Sequence, residues 1–213
     1  MSVATRQTRA RLNREEIRAR IVAAATELVR ELSYAELSVG GVMERAGLER
    51  TIFYRHFDDL VDLLMRTGRE AIEELYATQV DLSAARDGAE PEAVRAAIEP
   101  AVTVYRRHGP LLRALAEAAA ADAEAAAGQA RIRRRFDDLV ARAISDLLDL
   151  GPPPPADVAE LARALNLMNE SYLLDAFGRE SRISTATAID ALTEIWVAVI
   201  RQRGGQVLSD GEH

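Results

Sequence analysis

Cysteine is absent from this chain of 213 residues, and lysine is absent as well, because all 27 basic residues are arginine. The lack of cysteine excludes disulfide bonds and thiolate metal sites, and it fits a protein of the reducing cytoplasm. No run of about 18 apolar residues occurs, so we expect no membrane-spanning helix. The basic N-terminus has no apolar segment behind it, and we therefore expect no secretory signal.

Groups that commonly carry catalysis are also scarce. The only histidines are His56, His108 and His213, and they lie in unrelated settings. The sequence has no thiol, no glycine-rich phosphate loop and no cluster of metal-ligand residues. We therefore expect that the protein is not an enzyme, and we expect no catalytic residue, no metal site and no cofactor.

Charge is distributed unevenly along the chain, whose formal net charge is -7. Residues 1–57 hold ten Arg against seven Glu, whereas residues 58–213 hold seventeen Arg against twenty-seven acidic residues. A basic N-terminal unit on an acidic body indicates that only one end of the molecule meets phosphate groups. Chance variation across a charged surface is the alternative.

The spacing of apolar residues predicts helices almost throughout and no β-strand, so the expected fold is all-α with about nine helices. Asn13 and Glu16 form a capping box at the start of the first helix, and Ser38 is a good N-cap for the second. The predicted helices cover about residues 14–32, 38–46, 49–55, 58–75, 92–107, 111–127, 132–147, 156–177 and 185–203.

Proline and glycine determine where we expect interruptions. Pro100 predicts a kink or a break, His108-Gly109-Pro110 predicts a helix end, and Gly128 can interrupt the alanine-rich helix that follows. Residues 83–91 have the composition of a loop. The chain accordingly divides into an N-terminal unit of residues 1–57, a helical body of residues 58–203, and a disordered polar tail of residues 204–213.

Residues 37–57, LSVGGVMERAGLERTIFYRHF, predict two short helices joined by a tight turn at Gly47. The second helix of such a pair can enter a DNA major groove, which is about 12 Å wide. Arg50 can donate two hydrogen bonds to guanine, and Ser38 with the first amides of its helix can hold a phosphate. The side chains predicted to face DNA are Glu49, Arg50, Thr51, Ile52, Tyr54, Arg55 and His56. An ordinary helical hairpin with a solvated charged face is the alternative.

A basic arm precedes the first helix. It contains Arg6, Arg9 and Arg11 and leads to Arg14. Flexible basic arms can reach an adjacent minor groove or the DNA backbone. A solvated tail is the alternative.

A pair of asparagines in the body indicates a small-molecule site. Asn166 and Asn169 are three residues apart, so they share one face of a helix that is otherwise apolar. Buried amides need partners, and an apolar cavity with a few polar groups is the usual form of a ligand site. A hydrogen bond between helices is the alternative for the asparagines, and an ordinary core position is the alternative for Trp196.

The last two predicted helices carry more apolar surface than one protomer needs. Two such helix pairs can form a four-helix bundle across a two-fold axis. The interface candidates are Leu161, Leu165, Tyr172, Ile189, Leu192 and Val199, supported by Met168, Leu173, Ile195 and Ile200.

The pattern Ser38…Ala46-Gly47-Leu48…Arg50…Phe53-Tyr54…His56-Phe57 resembles the signature of TetR-family transcriptional regulators, and the chain length agrees with that family. The resemblance implies a regulator that binds a pseudo-palindromic double-stranded DNA operator as a homodimer, most often a repressor that a small effector releases. We further expect that a ligand between the fifth, seventh and eighth predicted helices tilts the fourth, which begins near Asp58 and carries the DNA-binding unit.

Two features depart from the family pattern. Leu60 stands where the family commonly has a phosphate-binding lysine, and Gly40 and Gly41 lie inside the second helix, where each costs about 0.5–1 kcal/mol relative to alanine. A helical protein-interaction module of the same fold that does not bind DNA is the alternative function.

The segment LNLMNE, together with Trp196, resembles the subgroup of TetR regulators typified by the mycobacterial repressor of ethionamide activation. In that subgroup a matching segment and a matching tryptophan line a long, mostly apolar ligand tunnel. The resemblance therefore implies a small apolar effector that contacts Asn166, Asn169 and Trp196. The further candidates for this site are Val94, Ile98, Ala101, Tyr105, Phe136, Val140 and Ile144.

Overall fold

Helices form all the regular secondary structure of the residues that the structure, a computed structural model, describes: 13–78, 80–83, 85 and 90–210. The predicted all-α fold is confirmed. None of the helices in this part of the chain is long and apolar enough to span a bilayer. Arg6, Arg9, Arg11 and His213 lie outside the described residues.

The described part contains nine α-helices and a short 3-10 helix over residues 34–36, and residues 83 and 85 also have 3-10 geometry. The helices are α1 (Arg14–Glu31), the 3-10 helix (Tyr34–Glu36), α2 (Val39–Arg45), α3 (Arg50–Phe53), α4 (Leu60–Thr67), α5 (Arg69–Ala77), α6 (Glu90–Ala121), α7 (Ala123–Leu147), α8 (Ala156–Phe177) and α9 (Thr185–Asp210).

The first two helices begin where their capping residues predict. The Asn13 side chain accepts a hydrogen bond from the Glu16 amide at 2.9 Å, and the Glu16 carboxylate accepts one from the Asn13 amide at 2.7 Å. Ser38 Oγ accepts from the Gly41 amide at 3.0 Å. Gly47 has a φ of 65°, a conformation that favours glycine, so it permits the tight turn between α2 and α3.

The core of the N-terminal helices continues into the body. Phe53 and Phe57 are buried together with apolar side chains of α1 and α2. Leu63 of α4 and Leu111 and Ala114 of α6 belong to the same cluster. This core contains side chains from both sides of the predicted domain boundary between residues 57 and 58, so it does not separate two domains there. The boundary stays a prediction.

The predicted helix over residues 58–75 is divided at Gly68 into α4 and α5. A Cβ atom at Gly68 would lie 2.6 Å from Cδ1 of Leu115 and 3.2 Å from the Leu64 carbonyl oxygen. The glycine therefore lets α6 pack closely against the joint between α4 and α5, which the sequence pattern alone did not indicate.

The predicted helix end at His108-Gly109-Pro110 is wrong, because α6 runs without interruption through both Pro100 and Pro110. A Cβ atom at Gly109 would lie 2.1 Å from the Phe177 carbonyl oxygen, so this glycine permits close contact between α6 and the end of α8. Proline costs one backbone hydrogen bond, which burial of neighbouring apolar side chains such as Leu111 and Ala114 offsets.

The next two predicted boundaries are also displaced. Helix α6 ends at Ala121, and the Asp122 side chain caps α7 by accepting a hydrogen bond from the Ala125 amide at 2.8 Å. Helix α7 then passes through the buried Gly128. The last helix, α9, continues past its predicted end at Arg203 as far as Asp210. Residues 204–210 are therefore helical rather than part of a disordered tail.

Candidate functional site

The predicted DNA-reading surface lies on α3 and the turn that follows it. Phe53 and Phe57 are buried, with exposures of 0% and 1%, whereas Tyr54 is 56% exposed. Ile52 and His56 are half-buried, and the exposed predicted contacts are Ser38, Glu49, Arg50, Thr51, Tyr54 and Arg55. Ile52 packs against the core of Phe53 and Phe57 with part of its surface exposed, and the other predicted contacts lie outside that core. We call this surface the reading face.

The half-buried His56 is surrounded by positive charge. Burial lowers its pKa below the ordinary value of 6.5, and the nearby Arg14, Arg18 and Arg55 lower the pKa further. The Arg18 guanidinium also lies 6.0 Å from the centroid of the Phe57 ring. Arg18 was missed by the sequence reasoning, although its position one turn after Arg14 on α1 is a usable signal.

Ion pairs between α1 and α2 hold the reading face in place. Arg45 on α2 donates to Glu31 at 2.8 and 3.1 Å and to Glu27 at 3.4 Å. The hydrogen bond from Arg45 lowers the pKa of the Glu31 carboxyl below its usual range. Such exposed pairs contribute little energy individually, but this one fixes the geometry between two helices.

The two departures from the family pattern have structural explanations. A Cβ atom at Gly41 would lie 3.3 Å from Ser38 Oγ, which caps the same helix, so this glycine accommodates the cap. Leu60 is half-buried and packs against the N-terminal core. Its side chain therefore contributes to the core instead of contacting phosphate.

A partly buried cavity of about 560 Å³ lies among α5, α6, α7, α8 and α9. Eight of the ten predicted ligand contacts line it: Ile98, Ala101, Tyr105, Phe136, Val140, Asn166, Asn169 and Trp196. Val94 and Ile144 do not line the cavity. They are 0% and 1% exposed inside the core, because their positions on α6 and α7 face neighbouring helices.

Both asparagines have partners within the protein. Trp196 Nε1 donates to Asn169 Oδ1 at 3.2 Å, which joins α9 to α8. Asn166 Nδ2 donates to Asp137 Oδ1 at 2.8 Å, which joins α8 to α7. Hydrogen bonding between helices, the alternative considered for the asparagines, therefore occurs on the cavity wall.

One wall of the cavity is more polar than the sequence reasoning indicated. Arg133 donates to both carboxylate oxygens of Glu170, at 2.7 and 3.0 Å, and Gln129 donates to the same group at 3.0 Å. Burial raises the pKa of the Tyr105 hydroxyl, and the Glu170 charge raises it further. We call Tyr105, Gln129, Arg133 and Glu170 the polar wall. The spacing of Gln129, Arg133 and Asp137 by four residues on α7 was the available signal.

The Phe136 side of the cavity is held by stacked rings. Phe136 stacks on Tyr76 with ring centroids 4.9 Å apart. The Arg135 guanidinium lies 4.0 Å from the Tyr76 ring centroid on α5. These contacts fix α5 against α7 and keep the Phe136 ring in position on the cavity wall.

The predicted dimer surface requires correction. Leu165, Ile189 and Leu192 are 4%, 4% and 2% exposed within one protomer, and Leu173 and Ile200 are likewise buried, so these residues pack in its own core. The predicted Leu161, Tyr172 and Val199, with the supporting Met168 and Ile195, do lie on the outer sides of α8 and α9, and the helical period adds two more residues there. The full set, all exposed or half-buried, is Leu161, Ala164, Met168, Tyr172, Ala191, Ile195 and Val199. We call this set the outer apolar face. Leu167, although 42% exposed, lines the cavity instead.

Sequence comparison identifies relatives of the chain. Residues 94–201, just over half of the chain, match the family described as "Transcriptional regulator EthR, C-terminal domain". The HTH-type transcriptional regulator EthR of Mycobacterium tuberculosis (strain H37Rv) is 29% identical over 189 residues, covering 84% of this chain and 85% of the relative. EthR of Mycolicibacterium smegmatis is 27% identical over 198 residues, covering 88% of each chain.

Solved structures show the same fold. A TetR-like transcriptional regulator from Rhodococcus sp. RHA1 superposes with a TM-score of 0.64 at 21% identity, covering 89% of this chain and 98% of that one. The TetR family regulator PfmR from Thermus thermophilus gives a TM-score of 0.63 at 21% identity, covering 85% and 96%. At these identities the likeness concerns the fold alone.

Proposed function

Because the chain belongs to the EthR-like branch of the TetR family of transcriptional regulators, we propose that it is a repressor released by a small effector. In this proposal a homodimer binds a pseudo-palindromic operator through two reading faces. The relatives that match the chain are transcriptional regulators rather than enzymes. The observation that carries the proposal is that one helix, α6, contributes both to the cavity wall and to the core beneath the reading face.

Different side chains of the reading face suit different contacts with DNA. Arg50 suits bidentate donation to a guanine edge, and the half-buried Ile52 suits a thymine methyl group. Tyr54 and Arg55 suit phosphate oxygens, which fix the position of the protein along the duplex without reading sequence. Arg14 and Arg18 add positive charge beside His56 and extend the proposed phosphate contacts onto α1.

The proposed dimer uses the outer apolar face of α8 and α9. Two copies related by a two-fold axis would bury Ile195, which is 40% exposed in the protomer, together with Met168 and Tyr172. A dimer that reads successive major grooves needs reading faces about 34–36 Å apart. A pseudo-palindromic operator follows from this symmetry, because each half-site then meets the same side chains.

The cavity supports an effector with an apolar body and at least one polar group. Its α5 and α6 sides are lined mostly by apolar residues such as Ile72, Ile98 and Val102, whereas the polar wall lies on α7 and α8 except for Tyr105 of α6. This distribution modifies the expectation of a mostly apolar effector. The effector weakens operator binding only if it prefers a conformation in which the reading faces no longer match the groove spacing.

Selection of bound fragments from a random DNA pool tests the DNA half of the proposal. We expect a two-fold symmetric motif, and we expect its affinity to fall steeply as the salt concentration rises, because phosphate contacts release counterions. Recovery of no motif, together with salt-independent association with protein partners, would instead favour the interaction module. A thermal-shift screen of amphipathic small molecules, followed by operator titration with each binder, tests the effector half.

A further inference from the structure

Arg113 on α6 is a buried cation that contacts three separate parts of the chain. It is 8% exposed. Its Nη2 donates to the carbonyl oxygens of Val29 at 2.8 Å and Leu32 at 2.9 Å, and its Nε donates to the Gly178 carbonyl oxygen at 2.8 Å. The remaining nitrogen, Nη1, pairs with Glu117 one turn further along α6.

The three carbonyl groups belong to the C-terminal ends of two helices. Val29 lies in the last turn of α1 and Leu32 is the residue that follows this helix, whereas Gly178 is the C-cap of α8. Carbonyl groups at such ends lack partners within their helix and carry partial negative charge. One guanidinium therefore caps a helix of the DNA-reading unit and a helix of the cavity wall together.

Glu117 extends this connection toward α2. Its carboxylate accepts a hydrogen bond from the Tyr34 amide at 2.7 Å, in the 3-10 helix between α1 and α2, while it also pairs with Arg113. The pairing compensates the cost of burying the guanidinium. The Arg113–Glu117 pair thus touches both segments that position α2 and α3.

The same part of α6 is held tightly to α8 and is linked to the cavity. Gly109 brings the α6 backbone against the Phe177 carbonyl oxygen, next to Gly178. Pro110 lacks an amide proton, so a backbone hydrogen bond is missing one turn before Arg113 and the helix can bend there. Ala101 and Tyr105, which line the cavity, lie two to three turns before Arg113 on the same helix.

We propose that Arg113 is the positioning residue that couples the cavity to the DNA-reading unit. A bulky group in the cavity displaces α6 relative to α8, and Arg113 transmits this displacement to the end of α1, on which the reading face is built. The inference rests on the proposed function, and it differs from the expected route through the helix that begins near Asp58. Lysine cannot replace arginine here, because a single ammonium group lacks the planar fork that reaches carbonyl groups in several directions.

The test uses a side chain as a substitute for the unidentified effector. Ala101→Phe adds a ring to the cavity wall, and Thr103→Phe adds the same ring on the exposed side of α6 as a control. Affinity for a duplex obtained by selection is measured by fluorescence anisotropy in the native and Arg113→Lys backgrounds. Arg107 is an exposed arginine of α6 that pairs with Glu74. The variant Arg107→Lys therefore controls for the loss of a guanidinium.

We expect Ala101→Phe to weaken operator binding about 10-fold in the native and Arg107→Lys backgrounds, within the usual range of allosteric coupling. In the Arg113→Lys background the weakening should fall below about 3-fold, a non-additivity that a residue needed only for stability does not produce. Equal weakening in all backgrounds would overturn the role of Arg113. If Ala101→Phe has no effect in the native background, the coupling of cavity to operator fails, and this inference fails with it.

Amide hydrogen exchange tests, without DNA or ligand, whether Arg113 joins the end of α1 to the end of α8. Arg113→Lys should raise the exchange rates of the last turn of α1 and of the last turn of α8 together, whereas Arg107→Lys should leave both unchanged. A change in only one of the two helices, or in neither, would show that Arg113 does not join them. This measurement therefore tests the link that Arg113 makes between α1 and α8 independently of operator binding.

Discussion

Trp196 and Asn169 form a hydrogen bond from the indole nitrogen to the side-chain oxygen at 3.2 Å, on the wall of the cavity. Asn169 lies on α8 and Trp196 on α9, so the bond ties together the two helices that carry the outer apolar face. The only tryptophan of the chain therefore lines the cavity and lies on α9, one of the two helices that carry the proposed dimer surface.

Replacement of Trp196 by phenylalanine removes the donor and leaves the Asn169 oxygen without its partner. We expect Trp196→Phe to lower the free energy of unfolding by about 1 kcal/mol, the net contribution of a hydrogen bond at a half-buried position. Urea unfolding followed by circular dichroism measures the change. The double variant Trp196→Phe/Asn169→Leu should recover part of the loss, and the absence of any recovery would contradict this assignment of the bond.

Operator binding should become tighter as the pH falls toward and below 6.5, the ordinary pKa of a histidine side chain. In the free protein burial and neighbouring arginines hold the His56 pKa below 6.5. A DNA phosphate beside His56 favours the charged imidazolium and raises its pKa, so binding takes up a proton between the free and bound pKa values. Anisotropy titrations across this range measure the effect, and His56→Gln should abolish it.

Arg50 should determine the base preference at one position of each half-site. We expect Arg50→Ala to lose about 1–3 kcal/mol of discrimination at that position, because a bidentate contact to guanine is removed. Repeating the random-pool selection with the variant measures this loss. Arg142→Ala, which removes an exposed arginine of α7, is the control. An unchanged motif would exclude Arg50 from the residues that read bases.

Two exposed apolar residues allow a matched test of the dimer surface. Ile195 and Leu167 are 40% and 42% exposed, but only Ile195 lies on the outer apolar face. Ile195→Glu should produce monomers in analytical ultracentrifugation, because it places a charge in the proposed interface, and Leu167→Glu should remain dimeric. The opposite pattern would move the interface to the side of α8 that lines the cavity.

Two glycines in helices should respond to alanine with opposite signs. A Cβ atom at Gly109 would lie 2.1 Å from the Phe177 carbonyl oxygen, so Gly109→Ala should destabilise the protein by about 1–3 kcal/mol through overpacking. At Gly40 the nearest atom is Ser38 Oγ at 3.9 Å. Gly40→Ala should therefore stabilise the protein by about 0.5–1 kcal/mol, the difference in helix propensity. Urea unfolding of both variants measures the two effects.

Most of the candidate site could be predicted from sequence because its signals are local. The reading face follows from the inward-facing Phe53 and Phe57 and their polar neighbours, and the pair Asn166 and Asn169 follows from helical spacing. The cavity residues on the other helices came from the resemblance to the family. Val94 and Ile144 were placed wrongly, because helical spacing does not distinguish a side chain that borders a cavity from one that touches the next helix. Tyr105 of the polar wall was predicted, but Arg133 and Glu170 were missed because they are charged, and only their pairing allows them to line a partly buried cavity.

The sequence by itself determined the all-α class, the caps at Asn13 and Ser38, and the turn at Gly47, since each depends on groups within a few residues of one another. The tertiary structure alone decided that α6 continues through Gly109 and Pro110, and which sides of α8 and α9 stay exposed. These outcomes depend on contacts between residues far apart in the chain, such as Gly109 against Phe177 and Arg113 against Val29. Packing energy shared among several helices overrides the local preference of proline and glycine to end a helix.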